Sequence, residues 1–250
     1  MTNAERYRFS DFTRSNYSRL LRLAKQSYPF RGYTDFKPDE RFVLWRHDID
    51  LSPQGAVKLA QREAAEGVAA TYFVSLHSDF YNLLEHEVTD CMRALVRLGH
   101  HVGLHFDPEY HAVGDERELV SALTRERRIL EEVLEVTPRV FSFHNPGEST
   151  KAYRAPDYAG MMNAAGSYFY SQVGFCSDSN GHWRGRRLED VLIAATDERL
   201  QVLTHPEMWQ DVAMSARERV DRCIDGRAQR TRERYERLLR EHNRENVDNG

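Results

Sequence analysis

The stretch that decides the fold lies at residues 42–53 and reads Phe42-Val43-Leu44-Trp45-Arg46-His47-Asp48-Ile49-Asp50-Leu51-Ser52-Pro53. Its apolar first half predicts a buried strand, and Ser52-Pro53 predicts the cap and first turn of a helix. A strand that ends in carboxylates and leads into a helix is where α/β enzymes place their chemistry. Because side chains alternate along a strand, Arg46, Asp48 and Asp50 should share one face and His47 should lie on the other.

Beyond this stretch, strand-like and helix-like segments alternate along the chain. Amphipathic helices are predicted at about 53–66, 85–98 and 115–135. Strands are predicted at 69–76, 101–107, 140–143, 168–171, 191–195 and 200–204. This alternation favours a mainly parallel sheet covered by helices, and we predict an α/β fold with a distorted (β/α) barrel rather than an open sheet.

The chain length fits one such barrel. With 250 residues, 40% of them apolar, the sequence predicts a single domain over 1–250. Its barrel core is expected at about 38–210, with an N-terminal helix at 11–28 and C-terminal charged helices at 215–241 packed outside it. The charged C-terminal helices could also join two copies of the chain in a homo-oligomer.

The overall composition argues against several classes of protein. The net charge is −4 and no basic stripe stands out, so nucleic-acid binding is not expected. No apolar run is long enough to span a membrane and the first residues contain no apolar signal segment, so a cytoplasmic protein is expected. The three cysteines lie at no metal-binding spacing, which indicates neither a disulfide framework nor a thiolate zinc site.

Polar residues with metal-binding side chains cluster at the predicted carboxyl ends of four strands. They are Asp48, Asp50, His105, Asp107, His144, Asn145 and His205. Imidazole and carboxylate groups together are the ligands of a catalytic zinc or similar divalent ion, which leaves one position open for water. Hydrolysis is the reaction that such a site suits best.

A simpler structural interpretation exists for each of these residues. Asp48 and Asp50 could instead cap the following helix and form a salt bridge with Arg46, and His205 could belong to a structural turn. Six other histidines are interpreted as hydrogen-bonded surface or core residues, because isolated histidines usually are. They are His77, His86, His100, His111, His182 and His242.

Three motifs in order resemble those of the polysaccharide deacetylase superfamily. They are Arg46-His47-Asp48-Ile49-Asp50, Ala70-Thr71-Tyr72-Phe73-Val74 and Leu98-Gly99-His100-His101-Val102-Gly103-Leu104-His105. Weaker similarity continues in Phe143-His144-Asn145-Pro146-Gly147, in Ser177-Asp178-Ser179-Asn180-Gly181-His182-Trp183 and in Leu203-Thr204-His205. The resemblance spans about residues 42–209.

The resemblance implies a distorted β/α barrel with a zinc-type site that removes acyl groups, typically acetyl, from amino sugars. On the matching positions, Asp48 would be the general base and Asp50 a metal ligand. His105 would be a metal ligand and His205 the general acid. The residues expected to line the sugar site are Arg46, Asn145, Asp178, Trp183 and Trp209.

The sequence departs from the superfamily pattern at two points. Ile49 separates two aspartates that are adjacent in the superfamily, which leaves the base and ligand roles of Asp48 and Asp50 open to exchange. The second metal histidine of the superfamily corresponds to Glu109, so the third ligand is Glu109, His101 or His144. Positions four apart on a strand lie about 13 Å apart, which disfavours His101 beside His105, and we predict His144.

The expected substrate is an amino sugar or sugar-containing precursor used in making a surface polysaccharide such as lipopolysaccharide. Two alternatives stay open at the level of sequence. One is a metal-dependent hydrolase of another small amide, such as a formyl, ureido or carboxamide compound. The other is a glycan-binding barrel without catalytic activity.

Overall fold

The computed structural model describes residues 1–247, so the last three residues of the predicted 1–250 domain lie outside the described residues. Within this range nine strands form one curled sheet. The strands are β1 (Phe30–Arg31), β2 (Phe42–Ile49), β3 (Thr71–Val74), β4 (His101–Phe106), β5 (Val140–Phe143), β6 (Asp157–Tyr158), β7 (Met161–Asn163), β8 (Gly174–Ser177) and β9 (Arg199–Thr204).

The order of strands across the sheet is β6-β7-β5-β4-β3-β2-β9-β8, and β1 pairs with the first half of β2. Every pairing is parallel except that of β6 with β7. The helices are α1 (Asn3–Arg6), α2 (Arg14–Lys25), α3 (Pro53–Ala65), α4 (His86–Arg97), α5 (Glu116–Leu134), α6 (Ser167–Gln172), α7 (Leu188–Ala194) and α8 (Ala216–Glu241). This curled, mostly parallel sheet with its helices confirms the predicted distorted β/α barrel.

Strand β2 lies at the centre of the sheet and is buried along its whole length. It pairs with β9 through residues 42–47 and with β3 through residues 46–49. Its alternate side chains enter two separate cores, with Val43 and Trp45 in the larger core and Phe42 and Leu44 in the smaller one. A strand buried on both faces explains why its apolar run is continuous.

The transition from β2 to α3 follows the sequence prediction. Ser52 accepts a hydrogen bond from the backbone N–H of Gly55 at 3.0 Å, and Pro53 occupies the first turn. This cap satisfies one of the N–H groups that a helix N-terminus leaves unpaired. The chain therefore turns sharply just after Asp50, which keeps that carboxylate at the edge of the sheet.

Two predicted strands were wrong. The segment 168–171 belongs to helix α6, where Phe169 packs in the smaller core, and 191–195 overlaps helix α7. The strand that precedes β9 in the chain is β8 instead, at Gly174–Ser177. Short apolar runs do not distinguish a strand from a buried helical turn, and here tertiary packing decided the outcome.

The C-terminal charged segment forms one helix of 26 residues, so the prediction of two or more helices there was wrong. It begins with a capping box at Ser215 and passes through Gly226 without a break. Two hydrogen bonds of 2.5 and 2.6 Å join Arg227 to Glu85, so the helix packs on its own barrel. No helix within residues 1–247 has both the length and the apolar character that crossing a membrane requires.

Candidate active site

The carboxyl ends of β2, β4 and β5 meet at one edge of the curled sheet. Asp50 follows β2, His105 lies near the end of β4, and His144 follows β5. Each of the three offers a ligand atom, and these atoms all lie within 4.8 Å of one another. Parallel pairing explains the convergence, because it brings the same ends of neighbouring strands together.

The ring of His105 is fixed by its partner in the sheet. Ser142 is its register partner on β5, and His105 Nδ1 lies 2.8 Å from Ser142 Oγ. This contact turns Nε2 toward the carboxylates, 3.2 Å from Asp50 Oδ1 and 3.7 Å from Asp48 Oδ2. The imidazole is almost fully buried, so its orientation is set by packing and by this hydrogen bond.

His144 is oriented by a carboxylate from the neighbouring strand end. Its Nδ1 lies 3.3 Å from Asp107 Oδ2, and its ring meets that of His105 edge to face at 5.3 Å. Metal-binding histidines commonly use one nitrogen for such a carboxylate and the other for the ion. The arrangement leaves His144 Nε2 free of that hydrogen bond.

One oxygen of the Asp50 carboxylate has no hydrogen bond within residues 1–247. Its Oδ1 is buried and has no hydrogen bond among the described residues, because His105 Nε2 is near but outside hydrogen-bond geometry. Burial alone would raise the pKa of Asp50, but the imidazole of His105, followed by His205 and His144, lowers it below its usual range. An unpaired buried oxygen beside two imidazoles fits a divalent cation, for which these donors are common ligands.

The other two residues considered as third ligand lie elsewhere. His101 is at the opposite end of β4 and is exposed. Glu109 is also exposed, and its backbone N–H donates to Asp107 Oδ1 at 2.9 Å. Neither belongs to the cluster of Asp50 and His105.

Asp48 points to the same region but is held differently. Arg46 Nη2 donates to Asp48 Oδ1 at 2.6 Å and to Oδ2 at 2.7 Å, and both side chains are buried. The guanidinium also lies over the ring of Phe73, 4.4 Å from its centroid. Arg46 therefore fixes the direction of the Asp48 carboxylate, a role closer to positioning than to direct substrate contact.

His205 forms a second polar unit with Asp178. His205 Nδ1 lies 2.6 Å from Asp178 Oδ1, and Nε2 lies 3.8 Å from Asp50 Oδ2. Burial lowers the pKa of His205, but the carboxylate of Asp178, followed by those of Asp50 and Glu207, more than offsets this and raises it to about 10. The imidazole is thus held in its protonated form at neutral pH with Nε2 facing the site.

Asp178 and Trp209 were expected to line the sugar site, but neither side chain is exposed to solvent. Both are fully buried, and Trp209 Nε1 donates to Asp178 Oδ2 at 3.0 Å.

Trp183 stacks on Phe12 and donates to Asp11, so its ring packs against the N-terminal segment. Asn145, in contrast, is exposed in the loop after β5. The position of a tryptophan in the sequence does not show whether its ring faces solvent or is buried against other residues.

His47 lies on the opposite face of β2, as alternation predicts. Its Nε2 lies 2.6 Å from Glu63 Oε1 on α3, and its Nδ1 lies 2.7 Å from Thr204 Oγ1 on β9. Tyr72 donates to Glu63 Oε2 at 2.6 Å from the next strand. This buried network ties strands to helix and takes no part in the site.

A cavity of about 370 Å³ adjoins Asp48 and runs between β5, α6 and the strands β8 and β9. Sequence reasoning missed most of its lining, in part because 168–171 was interpreted as a strand. The signal present was the aromatic run Tyr168-Phe169-Tyr170. The residues lining the cavity are Arg46, Asp48, Ser142, Phe143, Pro146, Arg154, Ala164, Ala165, Phe169, Tyr170, Val173, Phe175, Gln201 and Leu203.

Comparison with known proteins gives matches among solved structures. No protein-family model and no curated protein matches the chain. A carbohydrate esterase of the CE4 type from Streptococcus mutans is 16% identical, with a TM-score of 0.47, covering 76% of this chain and 81% of that one. The peptidoglycan deacetylase PdaC from Bacillus subtilis is 14% identical, with a TM-score of 0.45, covering 83% of this chain and 99% of that one.

A CE4 family pseudoenzyme from Bacillus anthracis also matches, at 14% identity and a TM-score of 0.42, covering 78% of this chain and 63% of that one. These likenesses concern the arrangement of strands and helices.

Proposed function

We propose that this protein is a metal-dependent hydrolase that removes an N-acyl group, acetyl in the first instance, from an amino sugar of a surface-polysaccharide precursor. The observation that carries the proposal is the convergence of Asp50, His105 and His144 beside Asp48 and His205. These five side chains supply a set of cation ligands, a carboxylate base and an imidazolium acid at one edge of the sheet. Amide hydrolysis needs all three kinds of group.

Asp50, His105 and His144 would hold the cation, for which zinc is the first choice given one carboxylate and two imidazoles. When bound, such an ion polarises the acyl oxygen and favours ionisation of a water. The Asp50 Oδ1 atom without a hydrogen bond supports this assignment. So do the contacts of His105 Nδ1 with Ser142 Oγ and of His144 Nδ1 with Asp107 Oδ2, which leave each Nε2 available for the ion.

The contacts of the two aspartates support different roles for them. Asp50 has an oxygen with no hydrogen bond, as a ligand would, whereas Asp48 is held by Arg46 beside the cluster. We therefore assign Asp48 as the general base that accepts a proton from the attacking water. The intervening Ile49 is compatible with this, because residues two apart on a strand share a face.

His205 would act as the general acid. Its Nδ1 is engaged by Asp178, so the proton available for transfer is on Nε2, which faces Asp50. In the proposed step the C–N bond breaks and the departing amine nitrogen takes this proton. Asp178 orients the imidazole ring and compensates the imidazolium charge, in the manner of a carboxylate beside a catalytic histidine.

The neighbouring cavity supports a small carbohydrate substrate. Its volume of about 370 Å³ lies in the range of small-molecule sites, and its wall includes the exposed aromatic rings of Tyr170 and Phe175. Aromatic faces pack against the apolar faces of sugar rings, and Arg154 adds a charged group for hydroxyls or an anionic substituent.

The decisive experiment combines metal analysis with product analysis. We expect purified protein to contain a divalent metal at the site, and Asp50→Ala and His144→Ala to lose it, whereas the matched control Glu109→Ala keeps it. N-acetyl, N-formyl and ureido sugars are then offered, and free acetate is the expected product. The metal site is wrong if Asp50→Ala and His144→Ala retain as much metal as the parent.

A different result would contradict the proposed hydrolase activity but not the metal site. If the parent holds metal and binds saccharides but releases no acid from any of these compounds, the barrel is a binding module. Release of formate or ammonia instead of acetate would assign another amide as substrate.

A further inference from the structure

Outside the site described above, two histidines and a glutamate converge beside helix α5. His77 lies in the loop after β3, His111 lies in the loop after β4, and Glu126 lies on α5. Their ligand atoms all lie within 4.8 Å of one another. His77 Nε2 is 3.0 Å from Glu126 Oε1, and His111 Nε2 contacts the same oxygen.

Glu126 is unusual because its carboxylate is buried without a cationic partner. The residue is 1% exposed, and its Oε2 has no hydrogen bond among the described residues. Within residues 1–247 no arginine or lysine forms an ion pair with it, and the two imidazoles contact its other oxygen, Oε1. A buried polar oxygen without a hydrogen bond is costly, and coordination of a metal ion would satisfy the carboxylate of Glu126.

Packing fixes both imidazole rings in place. His77 stacks on Tyr110 with ring centroids 3.5 Å apart, and His111 stacks on Phe106 at 5.3 Å with ring planes 5° apart. The two stacking contacts therefore hold both imidazole rings in place beside Glu126.

We propose that His77, His111 and Glu126 form a second cation site that binds zinc or a similar borderline divalent ion and fixes two strand-end loops to helix α5. Two imidazole nitrogens and one carboxylate oxygen are a zinc donor set, whereas magnesium and calcium prefer oxygen ligands alone. Ligands of a tetrahedral zinc lie about 3.4 Å apart, so the contact of His77 with Glu126 Oε1 would open by a few tenths of an ångström and the shorter contact of His111 by more. The His77 side chain is 25% exposed, which leaves room for water at the fourth position.

An ion at this second site would stabilise the loops next to the proposed catalytic site. Residue 107, whose carboxylate orients His144, lies between the end of β4 and His111 in the same loop. An ion bound at Glu126 would thus hold in place the segment that carries Asp107. The proposal is separate from the catalytic proposal, because it concerns different ligands.

The test uses full-length protein stripped with a chelator and then titrated with Zn²⁺. We expect His105→Ala, which removes a ligand of the catalytic site, still to bind one equivalent per chain. Adding His77→Ala or Glu126→Gln to it should abolish that equivalent and the rise in melting temperature that Zn²⁺ produces. The control replacement is His86→Ala, an exposed histidine on α4 that should leave binding unchanged.

Different results would contradict the second cation site and the catalytic metal site. If His105→Ala binds no Zn²⁺, or if His77→Ala in that background binds as much as His86→Ala, the second site is wrong. Glu126 is buried, and Glu126→Gln preserves its shape, while His77→Ala removes an exposed loop side chain. Loss of binding in both variants, with far-UV circular dichroism unchanged, supports the site. Retention of all metal by His105→Ala contradicts the catalytic site instead.

Discussion

Asp178 holds His205 through both its backbone and its ring. The carboxylate accepts the backbone N–H of His205 at 3.1 Å and contacts Nδ1 at 2.6 Å. Trp209 donates to the other oxygen of the same carboxylate at 3.0 Å. A fully buried aspartate that is satisfied on every side in this way sets both the tautomer and the charge of the histidine it contacts.

We expect Asp178→Asn to lower the turnover number about 10²- to 10⁴-fold, the range for losing a general acid. The pH dependence should change as well. Asp178 is the main group that raises the pKa of His205, to about 10, and the acid works only while it is protonated. Activity should therefore fall as the pH rises through that pKa in the parent, and this alkaline limb should move to lower pH in Asp178→Asn.

The measurement is a pH profile of acyl release across neutral and alkaline pH. Asp221→Asn, an exposed position on α8, is the matched control and should keep the parent profile. An unchanged alkaline limb in Asp178→Asn would show that His205 is not the acid.

The Arg46–Asp48 pair is expected to contribute to stability as well as to the site. Both side chains are 6% exposed, so Arg46→Met would leave the Asp48 carboxylate buried and unpaired. We expect a loss of about 3–5 kcal/mol in the free energy of unfolding, as for other broken buried pairs. The double replacement Arg46→Met with Asp48→Asn should recover most of this loss.

Urea unfolding of chelator-treated protein measures these free energies without a metal contribution. A loss below about 1 kcal/mol for Arg46→Met would indicate that water enters and solvates the carboxylate.

The rim of the cavity should control substrate affinity more than turnover. Tyr170 is 76% exposed, and the guanidinium of Arg154 lies 4.7 Å from its ring centroid. We expect Tyr170→Ala to raise KM about tenfold, which is about 1.4 kcal/mol, with kcat nearly unchanged. Tyr170→Phe should keep most of the affinity, because the ring face remains.

Steady-state kinetics with the N-acetyl sugar that releases acetate in the product analysis tests this expectation. Tyr235→Ala, an exposed tyrosine on α8, is the control for loss of a surface ring. Equal KM values for Tyr170→Ala and Tyr235→Ala would place the sugar elsewhere.

Local patterns predicted the parts of the fold that depend on local physics. The observed elements include the strand predicted just before Asp50 and the helix cap predicted at Ser52. They also include α4 and α5, which the helical periodicity predicted. The two predicted strands that became helices were short apolar runs, in which period and length carry little information. The prediction of more than one C-terminal helix at 215–241 was wrong, because the chain continues as a single helix through Gly226.

The sequence by itself determined which chemical groups stand at the ends of the strands and that alternation separates Asp48 and Asp50 from His47. Both follow from the two-residue period of a strand and from the order of residues along it. Only the tertiary structure decided which partners these groups meet. The curl of the sheet brings His144 rather than Glu109 to Asp50, buries Asp178 and Trp209, and gathers His77, His111 and Glu126. Such contacts join residues distant in the chain, and packing determines them.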